Sequence, residues 1–215
     1  AGLEDYAIYF EVCRELSGWF GHVIALAPSL SPSTIEFGNC RTYSTAFTTV
    51  ETCEARPVDL EVRAGQDIAF GSGVVDFGVV DERVTNFYIS PQRFGGPSHA
   101  ICMWEHFDAA NKAILFSKLS DPRRPEIQAT GEPRCGTMEV DVPNTAKGVW
   151  ADPAITGPVA GDETGYMALV DYPYRPQLEL ALSLGPASLG ARLAVVDRRT
   201  SGRVNRAFED VPQDG

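Results

Sequence analysis

The sequence predicts a mainly β protein, organised as two small antiparallel β sub-domains of barrel or sandwich type with one connecting helix. Three observations carry that expectation. Short runs rich in Val, Thr, Tyr and Phe recur along the chain, several of them alternating apolar with polar residues. Clusters of Gly, Pro, Asn and Ser punctuate them at short intervals, the pattern of small all-β architectures. A single segment, residues 104–119, has the spacing of an amphipathic helix, with Phe107, Ala110, Ala113, Ile114 and Leu119 on its apolar stripe.

Residues 6–12 are aromatic-rich and alternate, which predicts a first strand; Ser17-Gly18 predicts a break, and residues 21–26 a second strand. Residues 28–38 read as a loop, and residues 41–52 are rich in the β formers Thr, Tyr and Phe. Residues 60–62 and 67–70 flank Ala64-Gly65-Gln66, which predicts a hairpin in which Gly65 takes a positive φ. Gly71 and Gly73 then precede a strand over residues 74–80. The Gly/Pro-rich stretch 91–97 marks the expected domain boundary, giving a first β domain over 1–90, a linker and helix over 91–134, and a C-terminal antiparallel β domain over 135–215. Residues 121–133 read as a charged loop. Strands are expected at 137–142, 146–150, 165–172, 178–184, 193–197 and 203–208, with Pro173 and Pro176 at one of the turns.

A chain of 215 residues can bury a substantial core. Its 29 acidic against 18 basic residues give a net charge of -11, which repels phosphate backbones and argues against a nucleic-acid partner. Acidity of this kind chiefly serves solubility. No apolar run reaches the length of a bilayer crossing, so no membrane span is expected. The start at Ala1, with neither Met nor a signal-type segment, predicts a mature or trimmed product. The final Asp214-Gly215 is a turn dipeptide, which predicts that the natural polypeptide continues.

The cysteines are Cys13, Cys40, Cys53, Cys102 and Cys135. None forms a CxxC pair, which excludes a zinc ribbon or a thioredoxin-like motif. Cysteines spread through loop-rich β segments fit disulfides in an oxidising compartment, hence an extracellular, periplasmic or cell-envelope location. The expected pairs are Cys40–Cys53, across a short Thr-rich excursion, and Cys102–Cys135. The odd count leaves at least one thiol free or paired outside the chain. Buried reduced thiols in a cytosolic protein are the alternative.

Two stretches of the first third carry a family resemblance. YFEVCRELSGWFGHVIAL, together with VRAGQDIAFGSG and VVDFGVVDERV, resembles the later strands of lysostaphin-type peptidases, zinc enzymes that cut peptidoglycan cross-bridges. The resemblance covers residues 6–84; V-x-A-G-Q-x-I hairpins also occur in lipoyl-type domains. CGTMEVDVPNTAKGVW and TSGRVNRAFEDV look like β domains that accompany degenerate copies of this fold in secreted bacterial proteins. Family members hold zinc with an H-x-x-x-D motif and the last His of an H-x-H motif. The resemblance implies that His22 stands at a supporting histidine position and that Asp76 stands where a zinc-binding His belongs. The H-x-x-x-D motif is not in this sequence. Catalytic zinc needs about three protein ligands and an open water position, and Asp76 alone cannot supply them. The resemblance therefore implies a scaffold without catalysis, with no metal and no cofactor. His22 reads either as a remnant that still binds a ligand or as a strand-end histidine satisfied by hydrogen bonds. Asp76 and Asp81 either line a cleft or face solvent.

Outside that region, His99, Cys102, Glu105 and His106 cluster in HAICMWEHF, and all are acceptable metal ligands. A disulfide at Cys102 would remove one of them, and Met103, Trp104 and Phe107 read equally well as core anchors. No G-x-S-x-G, Walker-type or G-x-G-x-x-G motif is present. The pairs Glu139/Asp141 and Glu209/Asp210 read as ordinary surface carboxylates. Arg123-Arg124 and Arg198-Arg199 read as solvated turns.

The function expected is that of a non-catalytic extracellular or cell-envelope structural or binding protein, a subunit of a larger assembly, with protein subunits or cell-wall glycan and peptide as partners. The alternative is a zinc-dependent peptidoglycan hydrolase whose remaining ligands come from a preceding segment. A third reading places a carbohydrate platform on Trp150, Tyr166, Tyr172 and Tyr174.

Overall fold

The structure, a computed structural model, describes residues 5–30, 35–44, 49–55, 60–93, 96–157, 165–185 and 192–212. It is mainly β, with several small antiparallel sheets, none of which closes into a barrel among the described residues. The chain separates into two compact units, Ala1–Glu11 with Gly18–Gly78, and Val12–Ser17 with Val79–Gly215. Residues 91–134 fall inside the second of these.

The first unit is built on β3 (Phe37–Ser44), β4 (Thr49–Ala55) and the greater part of β1 (Tyr6–Cys13), β2 (Leu16–Leu26) and β5 (Ala69–Asp81). β1, β2 and β5 form a sheet in the order β1-β2-β5, and β3 pairs with β4. Ser17-Gly18 is not a break: the turn lies at Arg14-Glu15, and β2 runs unbroken through Gly18. Glycine is required there by close approach. A Cβ on buried Gly18 would stand 2.5 Å from both the Phe10 ring and the Gly78 carbonyl oxygen. The same face carries an aromatic cluster in which Phe20 stacks on Phe77 at 4.6 Å and Phe10 lies 5.4 Å from Phe20. Trp19, one residue away and so on the opposite face, covers Gly78 so closely that a Cβ there would overlap the indole.

Gly71 and Gly73 likewise lie within β5 instead of preceding it. Gly65 takes a φ of 80°, as expected, and the Gln66 amide donates to the Arg63 carbonyl at 3.0 Å. Residues 60–63 form no strand, so this is a turn feeding β5 and not a hairpin. In the β3–β4 hairpin the register shifts between Gly38 and Arg41, where Asn39 has a φ of 48°, and the Cys40–Cys53 disulfide closes the hairpin across that irregularity.

The second unit contains α1 (Ala109–Lys118), β6 (Ser120–Asp121), β7 (Arg124–Gln128), β8 (Gly148–Ala151), β9 (Tyr166–Asp171), β10 (Glu179–Leu184) and β11 (Arg192–Asp197). The helix is shorter than the apolar spacing predicts. Asp108 caps it, accepting the Ala110 and Asn111 amides at 3.0 Å, and Met103–His106 before it form a separate 3-10 turn. The second disulfide, Cys102–Cys135, ties that turn to the segment after β7, and Cys13 is free. The charged stretch after the helix is a small β6–β7 hairpin and not a loop.

β8 to β11 make a four-stranded antiparallel meander in the order β11-β10-β9-β8. Its central residue is Leu180, fully buried and paired with Asp171 on β9 and Val196 on β11. Two expected strands are absent. Residues 203–208 bend into a 3-10 turn over Phe208–Asp210. Residues 137–142 are extended in pattern, but it is their side chains that bind: Glu139 accepts the Phe87 amide, and Asp141 accepts those of Ile89 and Val149, all at 2.8–2.9 Å. Two carboxylates two residues apart thus serve amides two residues apart, replacing a backbone ladder. Glu139 and Asp141 are structural staples.

The packing of Trp19 on Gly78 gives a direct test. Gly78→Ala forces the indole to move and is expected to destabilise the first unit by about 1–3 kcal/mol, the usual cost of overpacking. Gly38→Ala, with nothing within 4 Å of its Cβ, is the control. Thermal melts followed by tryptophan fluorescence read both, and an unchanged Gly78→Ala midpoint and spectrum would refute the contact.

Candidate functional site

The structure brings His22 and Asp76 together. His22 sits in β2 with a φ of 56°, a conformation uncommon for a residue with a side chain. Neighbouring Gly21 has no side chain to obstruct Asp76, whose Cβ lies 3.3 Å from where a Gly21 Cβ would be. His22 Nε2 stands 3.5 Å from Asp76 Oδ2, and Nδ1 is 2.8 Å from Asp5 Oδ2. All three side chains are more than half exposed. The hydrogen bond and charge of Asp5, helped by the charge of Asp76, raise the His22 pKa. Among the described residues no group of three or more His, Cys, Asp or Glu is arranged to hold a metal ion. Asp81 belongs to a different setting. It is buried and accepts Arg83 Nε and Nη2 at 2.8 Å and the Arg83 amide at 3.0 Å, contacts that push its pKa down to about 2.

The HAICMWEHF cluster divides among separate partners. His99 Nδ1 lies 2.6 Å from the Val84 carbonyl, Cys102 is in its disulfide, and Glu105 pairs with Lys112 at 2.8 Å. A disulfide sulfur is no thiolate ligand, so the set cannot act as one metal site.

The most developed polar site lies where the sequence suggested solvated turns. Arg124, at the start of β7, donates Nε to Asp121 Oδ2 at 2.8 Å and spreads Nη1 and Nη2 over Glu179 Oε1 and Oε2 at 2.7 and 2.8 Å. Asp121 is fully buried and Glu179 nearly so. Burial alone would push the Asp121 carboxyl up, but the Arg123 amide, the Arg124 guanidinium and the Tyr172 hydroxyl together hold it below the ordinary range. Hydrogen bonding from Arg124 likewise lowers Glu179 against its burial, and Arg175 adds a contact at 3.4 Å. The Tyr172 ring lies beneath the Arg124 guanidinium, 5.7 Å from centroid to Cζ, and burial raises its hydroxyl pKa. These groups border a cleft of about 560 Å³ whose other wall includes Val195, Asp197, Arg199 and Asn205.

No spacing rule could have found this site, since Glu179 is 55 residues from Arg124. The available local signal was Asp121-Pro122, a turn pair that folds Arg124 back onto Asp121. Arg198 and Glu209 are also absorbed. Lys147 reaches Asp171 at 2.6 Å and Glu209 at 3.5 Å, while Arg198 pairs with Asp171 and, at 3.5 Å, with Glu209. The aromatic residues considered for sugar stacking are held inward. Tyr172 is buried, Trp150 donates its indole N–H to the Ala146 carbonyl at 2.9 Å, and Trp150, Tyr166 and Tyr174 are half-buried.

Two measurements check this geometry. Arg124→Met leaves two buried carboxylates without their shared cation. It is expected to lower the melting temperature by roughly 6–12 °C, the consequence of breaking a buried pair in a domain of this size. An unchanged melting point would remove the network from the structural account. The second is the titration of His22 followed by NMR. Protonated His22 is favoured by Asp5 and Asp76, so its stabilising effect is complete below the ordinary imidazole value near 6.5 and is lost as pH rises through the raised value. Asp5→Asn is expected to lower the His22 pKa more than Asp76→Asn, because Asp5 supplies the hydrogen bond; the reverse order would contradict the geometry.

No protein-family model matches this chain, and neither a curated protein nor a solved structure matches it.

Proposed function

We propose that this chain is a non-catalytic extracellular or cell-envelope protein that serves as a structural or binding module of a larger assembly. The observation that carries this reading is the arrangement around His22. At the position that a lysostaphin-type site would use for a supporting histidine, both imidazole nitrogens face carboxylates, Asp5 on one side and Asp76 on the other. The hydrogen bond to Asp5 fixes the imidazole on the sheet that carries it, and Asp76, 3.5 Å from Nε2, adds charge on the other side, an arrangement that supports a structural role for His22. The two disulfides fit an oxidising compartment. The partners implied are other protein subunits or cell-wall glycan and peptide.

The competing reading, a zinc-dependent peptidoglycan hydrolase, is favoured by the approach of His22 to Asp76. It needs further ligands, since one histidine and one carboxylate cannot fix an open tetrahedral site.

One experiment separates the two. The protein is incubated with purified peptidoglycan sacculi, with and without added zinc, and both soluble fragments and sedimented protein are measured. Retention without fragment release is expected. Release of soluble peptide or amino termini that a chelator abolishes would overturn the non-catalytic reading.

A further inference from the structure

The cleft of the second unit runs beside β11, which stands at the end of the strand order in its sheet. The hydrogen-bond phase of that strand fixes which way its backbone points. The Arg198 amide donates inward, to the Leu178 carbonyl at 2.7 Å. By the two-residue alternation of an antiparallel ladder, Val196 and Ala194 also face β10, where they pair with Leu180 and Leu182. Leu193, Val195 and Asp197 therefore present their N–H and C=O groups outward. Arg123 is consistent with that phase, because its two terminal nitrogens both donate to the Leu193 carbonyl at 3.3 Å. Beyond that contact Val195 and Asp197 are among the residues that line the cleft, and no described strand pairs with their outward groups. The next outward amide, that of Arg199, donates to the Asn205 carbonyl at 2.8 Å and marks the end of the open edge. Open edge groups of this kind are a template for an added strand.

The charge of the lining narrows the occupant. Arg124 is committed to Asp121 and Glu179, whereas Arg199 is exposed and Arg123 reaches the strand edge. Three arginines against two carboxylates line the cleft in a protein of net charge -11. A basic enclave in an acidic molecule favours carboxylates over cations. Outward groups repeated every second residue match a peptide backbone and not a glycan.

We propose that the cleft binds an extended peptide segment, which adds as a strand to the outer edge of β11 and presents carboxylate side chains to Arg123 and Arg199. The proposal rests on the reading of the chain as a binding module and names the class of its partner. Affinity comes from main-chain hydrogen bonds to Val195 and Asp197, and selectivity from the arginines.

The test uses the whole chain and fluorescein-labelled hexapeptides, read by anisotropy. An alternating Glu/Val peptide is expected to bind saturably, its Gln/Val counterpart at least tenfold more weakly, and a Lys/Val peptide not at all. Full N-methylation of the Glu/Val peptide removes its backbone donors and is expected to weaken binding at least tenfold. Arg199→Glu, at an exposed position, is expected to do the same with an unchanged circular-dichroism spectrum, and Arg199→Gln is the milder second variant. Absence of saturable binding, equal binding of the acidic and basic peptides, or indifference to N-methylation would overturn the proposal. Cleavage of the peptide would instead overturn the non-catalytic reading beneath it, so the two failures are distinguishable.

Discussion

One guanidinium joins the β6–β7 hairpin to the four-stranded sheet of the second unit. Arg124 contributes four contacts to two carboxylates, one on its own hairpin and one on β10. Taking Asp121 and Glu179 out of water is costly, and the cost is offset only when nearly every lone pair finds a donor. Here the Arg123 amide, the Tyr172 hydroxyl and Arg175 complete the set. Geometry this demanding tolerates little displacement, and it fixes where the hairpin meets β10. Tyr172 and Leu180, among the most buried residues of the chain, flank the same junction. The network selects one docking position for the hairpin, and the cleft beside it inherits a rigid floor.

The first unit is organised by a different constraint, the near approach of backbones in the β1-β2-β5 sheet. Gly18 and Gly78 are places where a side chain is absent so that an aromatic ring or a carbonyl can occupy the space. The aromatic rings of Phe10, Phe20 and Phe77 cover one side and Trp19 the other. Large rings need small neighbours on a pleated surface, and glycine inside a strand most often marks this kind of approach.

Much of the fold was legible from the chain, and the misses share a cause. Alternation and β-former content located the strands of the meander to within a few residues, because a strand buried against a core must keep period-two patterning. Both disulfides were legible from the placement of cysteines. Gly18 and Gly71, by contrast, carry the same letter as a turn glycine, and only the three-dimensional neighbour distinguishes a close approach from a bend. Residues 137–142 alternate like a strand because Glu139 and Asp141 must reach the same side, yet the partner they serve is a row of amides and not a ladder. His22 and Asp76 stand out one by one in the sequence, but their approach to each other and the contact with Asp5 depend on how β2 and β5 lie side by side, which no local pattern shows. Arg123-Arg124 looked like a solvated basic pair because its carboxylate partner on β10 is remote in sequence.

The two polar sites differ in what they leave available, and that difference bears on function. At His22 the imidazole is held between Asp5 and Asp76 in an exposed setting, where solvent screening limits the worth of each contact. Such a cluster can tune a surface with pH, because the proton it holds is shared with solvent-exposed carboxylates. At the cleft Asp121 and Glu179 are buried and satisfied by Arg124, and what remains open is the outward backbone of Val195 and Asp197 on β11, beside the exposed Arg123 and Arg199. A rigid, neutralised floor beside an unpaired strand edge loses little conformational freedom when a partner binds, which is the condition under which main-chain hydrogen bonds yield net affinity. Electrostatics satisfied inside the protein hold the strands that carry them in place, and at this junction they fix β10 and the hairpin beside the β11 edge.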